Sequence, residues 1–229
     1  MNAEFTRRTA ALIGEENVAA LGEASVLVAG LGGVGGYVVE ALARAGVGRL
    51  GLLDFDVVSP TDLNRQIIAT VDTLGRKKTD VARERVLSIN PDCKVETYDL
   101  RYLPDTADGV PLGGYDYVVD AVDNVTAKLE LIARAKAANV KIVSSMGTGN
   151  RLTADFVVCD IKKTSVCPLA KVMRKELRAR GIEGVKVLYS PSLPTKSGEA
   201  ARTPASISYV PASAGLRLAQ EVVADLIKL

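Results

Sequence analysis

Short apolar runs alternate with stretches of helical period along the first two thirds of this chain. Residues 5–22 read as an amino-terminal helix whose apolar positions are Leu12, Ile13, Val18 and Leu21. After it, the segments 25–30, 50–54, 94–98, 116–120 and 141–145 are short and rich in β-branched and apolar residues. Between them, 35–45, 79–89 and 127–138 carry helical spacing. Strands that read as nearly continuous apolar runs are covered on both faces, and regular alternation with helices supplies that cover. The pattern predicts an α/β fold with a Rossmann-like, doubly wound, mostly parallel sheet.

The last third changes character. Segments 154–161, 185–189 and 207–210 are strand-like, 168–180 is helical, and 214–229 is a closing helix. Residues 190–205 are rich in Pro, Ser, Thr and Gly and predict a long surface loop. We expect one domain: a helical segment over 1–24, a nucleotide-binding core over 25–150, and a substrate-binding portion over 151–229.

Composition then narrows the chemistry. With 229 residues, 48% of them hydrophobic, the chain can bury a sizeable core. A net charge of +2 does not imply nucleic-acid binding, so any basic surface has to be local. There is no histidine, which excludes a Ser-His-Asp triad and a His-ligated metal. Cys93, Cys159 and Cys167 form no Cys-x-x-Cys pair; they predict reduced thiols and no zinc. Neither a signal peptide nor a membrane-spanning run is evident, so the expected location is cytoplasmic, away from membranes.

Gly30-Leu-Gly32-Gly33-Val-Gly35 follows the first strand and opens a helix. Gly30 and Gly32 permit a tight turn and a close approach to phosphate. Gly35 lets helix and strand pack, and the helix amino terminus supplies amides and a positive dipole end. Asp54 ends the second strand 22 residues after Gly32, in position to accept hydrogen bonds from a ribose. This much fits an NAD-dependent oxidoreductase as well as an ATP enzyme.

Further charged residues favour ATP. Asn64-Arg65-Gln66 follows the second strand, Lys78 starts a helix, and Asp123-Asn124 follows the fourth strand. In an open parallel sheet these carboxyl ends converge on the ligand crevice. A dinucleotide needs no added Arg, Lys and carboxylate. A triphosphate does: Arg65 and Lys78 neutralise it while Asp123 holds Mg²⁺. Taken singly, each has an ordinary alternative, a surface cation for Arg65 or Lys78 and a helix cap for Asp123.

Gly-x-Gly-Gly-x-Gly, Leu53-Asp54-Phe55-Asp56, Leu63-Asn64-Arg65-Gln66, Lys78, Ile89-Asn90-Pro91 and Asp123-Asn124 together resemble the adenylation domain of the ubiquitin-activating superfamily. Its bacterial members include activators of sulfur carriers. The resemblance implies ATP and Mg²⁺. It places Asp54 on the ribose, Arg65 and Lys78 on the phosphates, Gln66 in support and Asp123 on the metal. That pattern commonly has Asn where this chain has Asp62. Within the superfamily, Arg8-Thr9, Leu12-Ile13-Gly14, Ser144-Ser145, Asn150-Arg151, Asp160-Ile161, Lys163-Thr164-Ser165, Pro168-Leu169-Ala170 and 174–181 resemble the bacterial tRNA threonylcarbamoyladenosine dehydratases. Cys167 stands where that pattern has Asp. The resemblance implies a homodimer in which Arg8 reaches the partner's ATP site, and cyclisation of a modified adenosine beside the anticodon.

Chemically, adenylation turns a carboxylate with a poor leaving group into a mixed anhydride that an internal nucleophile closes to a ring, with no need for an enzyme cysteine. The alternatives are adenylation of the terminal glycine of a sulfur-carrier protein, an NAD-dependent oxidoreductase, and a non-catalytic nucleotide-binding partner. A tRNA substrate predicts a basic surface. Lys171, Arg174, Lys175 and Arg178 recur at i, i+3, i+4 and i+7, opposite Leu169, Val172, Met173 and Leu177, on an arc of about 100°. A solvated amphipathic face is the alternative.

Overall fold

Val26 and Val28 of the first strand face one side of a sheet, and Leu27 and Ala29 face the other; all four are closed to water. That period of two on a fully apolar strand makes a sheet with a core on each face. The computed structural model describes residues 3–195 and 204–228. Its strands are β1 (Ser25–Ala29), β2 (Arg49–Asp54), β3 (Lys94–Asp99), β4 (Tyr117–Asp120), β5 (Lys141–Ser145), β6 (Val157–Asp160) and β7 (Lys186–Tyr189). They lie in the order β3-β2-β1-β4-β5-β7-β6. Every pairing is parallel except β6 with β7. The chain runs outward from β1 through β2 to β3, then returns to place β4 on the other side of β1. This reversal opens a crevice at the carboxyl ends of β1 and β4.

The helices are α1 (Ala3–Ile13), α2 (Glu15–Glu23), α3 (Gly35–Ala45), α4 (Lys78–Ile89), α5 (Val125–Ala137), α6 (Pro168–Ala179) and α7 (Tyr209–Ile227). On one face Val38 and Leu42 of α3 and Leu218 and Val222 of α7 pack with Val26, Leu50 and Val119. On the other, Leu131 and Ile132 of α5 and Met173 and Leu177 of α6 pack with Leu27, Leu53 and Val118.

Four sequence expectations change. The helix over 5–22 is two helices, because Gly14 adopts φ 85° between them, a conformation that glycine tolerates and that breaks the helical ladder. Residues 207–210 are not a strand. Tyr209 and Val210 open α7, with Pro211 in its first turn where its missing N–H costs nothing. Of 154–161 only Val157–Asp160 pairs; Ile161 begins a short turn capped by Asp160, whose carboxylate accepts from the Lys162 N–H. The loop over 190–205 also starts deep rather than at the surface, since Ser190 is fully buried. Its residues 196–203 lie outside the described residues.

Candidate nucleotide-binding site

The glycine loop after β1 is set by contacts that only glycine allows. Gly30 has φ +85°, and a Cβ there would stand 2.7 Å from the carbonyl oxygen of Ala121, beyond β4. A Cβ at Gly35 would fall 1.7 Å from the Gly30 carbonyl oxygen. The loop is therefore pressed between the start of α3 and the strand-end turn after β4. Around Gly32 only the Gln66 amide comes near, at 3.7 Å from an added Cβ, which leaves this backbone bare towards a ligand.

Asp54, at the end of β2, holds that loop. One carboxylate oxygen accepts from the Leu31 N–H at 2.6 Å and the other from the Asp56 N–H at 2.9 Å. Burial raises its pKa, and the two backbone donors pull the other way. Each oxygen keeps a second lone pair, so a ribose hydroxyl remains within its capacity.

Asp62 lies behind this loop, nine-tenths buried, and ties the charged residues together. It accepts from the Ser59 N–H and Oγ, both at 3.0 Å, and from Gln66 Nε2 at 2.6 Å. Arg65 Nη2 is 3.5 Å from it and Lys78 Nζ 3.8 Å. Lys78, at the start of α4 and only 5% exposed, also donates to Asp56 at 3.2 Å. Arg65 Nη1 donates to the Thr61 carbonyl at 2.7 Å and to Asn64 Oδ1 at 3.0 Å. Asn64 in turn donates to the Ser206 carbonyl, joining the loop before α7 to the site. Gln66 Oε1 is buried with no partner.

Across the crevice, residues 121–124 follow β4. Asp123 is exposed there, and Asn124 caps α5 by accepting from the Ala127 N–H at 3.0 Å. The cap is thus Asn124, which leaves the Asp123 carboxylate available to a ligand. Among the described residues no group of three His, Cys, Asp or Glu side chains is arranged to hold a metal. A lone exposed carboxylate suits Mg²⁺, which takes one or two protein carboxylates and completes its shell with phosphate oxygens and water.

Sequence reasoning missed the residue beneath this turn. Lys128 on α5 is fully buried; it donates to both oxygens of Asp120 at 3.1 and 3.2 Å and to the Ser145 carbonyl at 2.7 Å. Ser144 also donates to Asp120, at 2.5 Å. The signal was present: Lys128 heads the stripe Leu131, Ile132, Ala135 on the buried face of its helix. Arg151, part of the motif that carries the resemblance, was given no role. Only 5% exposed, it donates through Nη1 to Ser190 Oγ and the Ser192 carbonyl, both at 2.6 Å. Asp155 accepts from Ser192 and Ser190, and those hydrogen bonds hold its carboxyl below the usual range.

On α6 the four basic residues divide. Lys171, Lys175 and Arg178 are exposed, whereas Arg174 is half-buried and donates to the carbonyl and hydroxyl of Thr164. Its place at the edge of the buried face (Ala170, Met173, Leu177) explains the difference. Val172, expected on the apolar side, is 44% exposed. The basic residues border a cavity of about 880 Å³ with Lys162 and Ile182. Arg8 is exposed on α1, whose neighbours Arg7 and Ala11 line a cavity of about 1010 Å³ with Ser25, Arg49 and Lys94, at the amino ends of the strands. The three thiols are free. Burial raises Cys93 to about 11, and burial and then Asp160 raise Cys159; Cys167 is buried at the start of α6. Among the described residues no helix is long and apolar enough to cross a membrane.

The ThiF family model matches residues 5–228. The tRNA threonylcarbamoyladenosine dehydratase of Bacillus subtilis is 38% identical over 242 residues, covering 98% of this chain and 95% of its own. The crystal structure of the E. coli tRNA N6-threonylcarbamoyladenosine dehydratase in complex with ATP matches with a TM-score of 0.92 at 32% identity, over 99% of this chain and 95% of that one. The molybdopterin-synthase adenylyltransferase of Salmonella typhimurium is 37% identical over a shorter stretch, 66% of this chain and 60% of its own. A family match over residues 5–228, with a relative 38% identical over 98% of this chain, places this chain in the ThiF family.

Proposed function

We propose that the chain is an ATP-dependent enzyme that dehydrates threonylcarbamoyladenosine in tRNA, by adenylating its carboxylate and closing the ring. The observation that carries this reading is the extent of the likeness. It runs through both halves for the B. subtilis dehydratase, including α6, β6 and β7, but over 66% of the chain for the sulfur-pathway adenylyltransferase.

The residues divide the work by position. Amides at the start of α3 receive phosphate oxygens, Asp54 takes the ribose, and Arg65 and Lys78 leave their protein acceptors for the β- and γ-phosphates. Asp123 would hold Mg²⁺, which would neutralise phosphate charge there. A substrate carboxylate oxygen attacks the α-phosphorus, the bond to the bridging oxygen breaks, and pyrophosphate departs. A nucleophile of the modified base then attacks the acyl carbon and the C–O bond to AMP breaks, the proton passing to water. This second step is intramolecular, so holding the base in place supplies much of its acceleration. Pyrophosphate release with modified tRNA and with a sulfur-carrier protein tests the reading. Release driven by tRNA, with a product nucleoside lighter by one water, is expected; release driven by the carrier alone overturns it.

The enzyme acts as a homodimer in which Arg8 serves the partner's ATP site. Within one chain α1 lies by the amino ends of the strands, away from the crevice at their carboxyl ends, so any contact of Arg8 with a nucleotide is made across an interface. Arg7 is already paired with Glu4 at 3.6 Å. Mixed dimers of Arg8→Ala and Asp123→Ala chains contain one intact site and regain activity. Verified heterodimers without recovery overturn the shared site.

A further inference from the structure

We infer that Asp62 is a built-in competitor for the phosphate-binding cations, and that it makes tight ATP binding by this chain depend on a divalent ion. The inference rests on the reading of the crevice as an Mg²⁺·ATP site and goes further, by assigning the residue that sets its metal dependence.

Two cations, Arg65 and Lys78, stand among three carboxylates, Asp54, Asp56 and Asp62. Asp62 is the one placed between the cations, with Arg65 Nη2 at 3.5 Å and Lys78 Nζ at 3.8 Å from its two oxygens. At 6% exposure it is screened little by water, so its charge acts on both at nearly full strength. A triphosphate entering this cluster meets cations already partnered and anions at close range. A divalent ion on the phosphates lowers the charge that the cluster has to accept, and Asp62 then costs little.

A second observation concerns the Gln66 amide. Its Nε2 is committed to Asp62 at 2.6 Å while Oε1 is buried without a partner. A carboxylate at position 62 can only accept, which fixes the amide in this orientation. An asparagine at 62 would keep its oxygen towards Ser59 and donate its Nδ2 to a flipped Gln66 Oε1. Asp62→Asn therefore removes the charge, keeps the shape and keeps one hydrogen bond to the Gln66 amide.

The test is calorimetric titration of the full-length protein with ATP, in EDTA and in Mg²⁺, for the wild type and Asp62→Asn, with thermal denaturation to confirm folding. The variant is expected to bind ATP about tenfold more tightly in EDTA and to change much less in Mg²⁺, so that the gain in affinity from Mg²⁺ shrinks. Asp56→Asn, at a side chain that is 48% exposed and pairs with Lys78, shifts binding the same way but less, and serves if Asp62→Asn does not fold. Unchanged or weaker binding in EDTA by folded variants overturns the inference. Loss confined to Mg²⁺·ATP also overturns it and makes Asp62 a metal ligand. A wild type that binds ATP in neither condition removes the reading of the crevice itself.

Discussion

Lys128 Nζ lies 3.1 and 3.2 Å from the two carboxylate oxygens of Asp120, and neither side chain touches water. Asp120 also accepts from the Val122 N–H at 3.2 Å, so the pair pins the turn that carries Asp123. Removing one partner of a buried pair leaves the other charge stranded. We expect Lys128→Met to cost about 3–5 kcal/mol, which in a chain of this size is a fall in melting temperature of about 6–20 °C. Adding Asp120→Asn should recover part of that loss. Calorimetric melting of the single and double variants checks both.

Asp123 and Asn124 are adjacent but do different jobs, and single substitutions should separate them. Asp123→Ala should leave the melting temperature unchanged and lower ATP-dependent turnover at least about 100-fold, the scale of a lost electrostatic group. Asn124→Ala should remove the α5 cap at about 1 kcal/mol of stability. Near-normal turnover in folded Asp123→Ala would take that residue out of the site.

The basic face of α6 should act through three side chains rather than four. Replacing Lys171, Lys175 and Arg178 with Gln is expected to weaken tRNA binding across sequences and to make the slope of log affinity against log salt shallower by about 2–3 units. ATP affinity should not move. Arg174→Gln alone should mainly cost stability, about 1–3 kcal/mol, by freeing Thr164. An unchanged salt slope in the triple variant would reduce this face to solvated surface.

Acid stability should depend on Glu96. The Arg49 guanidinium hydrogen-bonds both its oxygens, at 3.0 and 2.9 Å, and with the hydroxyls of Tyr98 and Tyr115 it holds the carboxyl down to about 2 against the opposing effect of burial. A folded pKa below the unfolded value gives stability that is present above the ordinary carboxylate range and is lost as pH falls from about 5 towards 2. Nearly half of the side chain is in water, so screening keeps the effect modest. Glu96→Gln should flatten the pH dependence of the unfolding midpoint across that window; an unaltered profile would refute the assignment.

The sequence was most readable where one residue type answers one local demand. Gly30 and Gly35 are dictated by backbone contacts under 3 Å, and the unbroken apolar run of 26–29 is dictated by a sheet covered twice. It was least readable where the demand comes from afar. Gly14 breaks a helix whose side-chain periodicity continues past it, and Tyr209-Val210 reads as strand until Pro211 is placed in a first turn. Lys128 looks like an ordinary surface cation, and nothing local to Arg151 shows that it is buried. They are buried because Asp120, Ser144, Ser190 and the carbonyls of Ser145 and Ser192 arrive from other strands and loops. The same distance in sequence conceals that Arg174 belongs to Thr164.

The attachment of the last third of the sheet has a consequence for how the molecule comes apart. β7 joins the parallel core through three residue pairs with β5, Val143 with Lys186, Ser144 with Val187 and Ser145 with Leu188, and β6 hangs on β7 alone. Opening that one short seam releases β7 together with the edge strand β6 while β1, β2 and β4 stay paired beneath the glycine loop. Such a seam divides the fold into two cooperative units of unequal strength. Backbone amides of β6 and β7 should exchange with deuterium through a cheaper local opening than those of β1 and β4, and saturating ATP should slow the second group far more than the first.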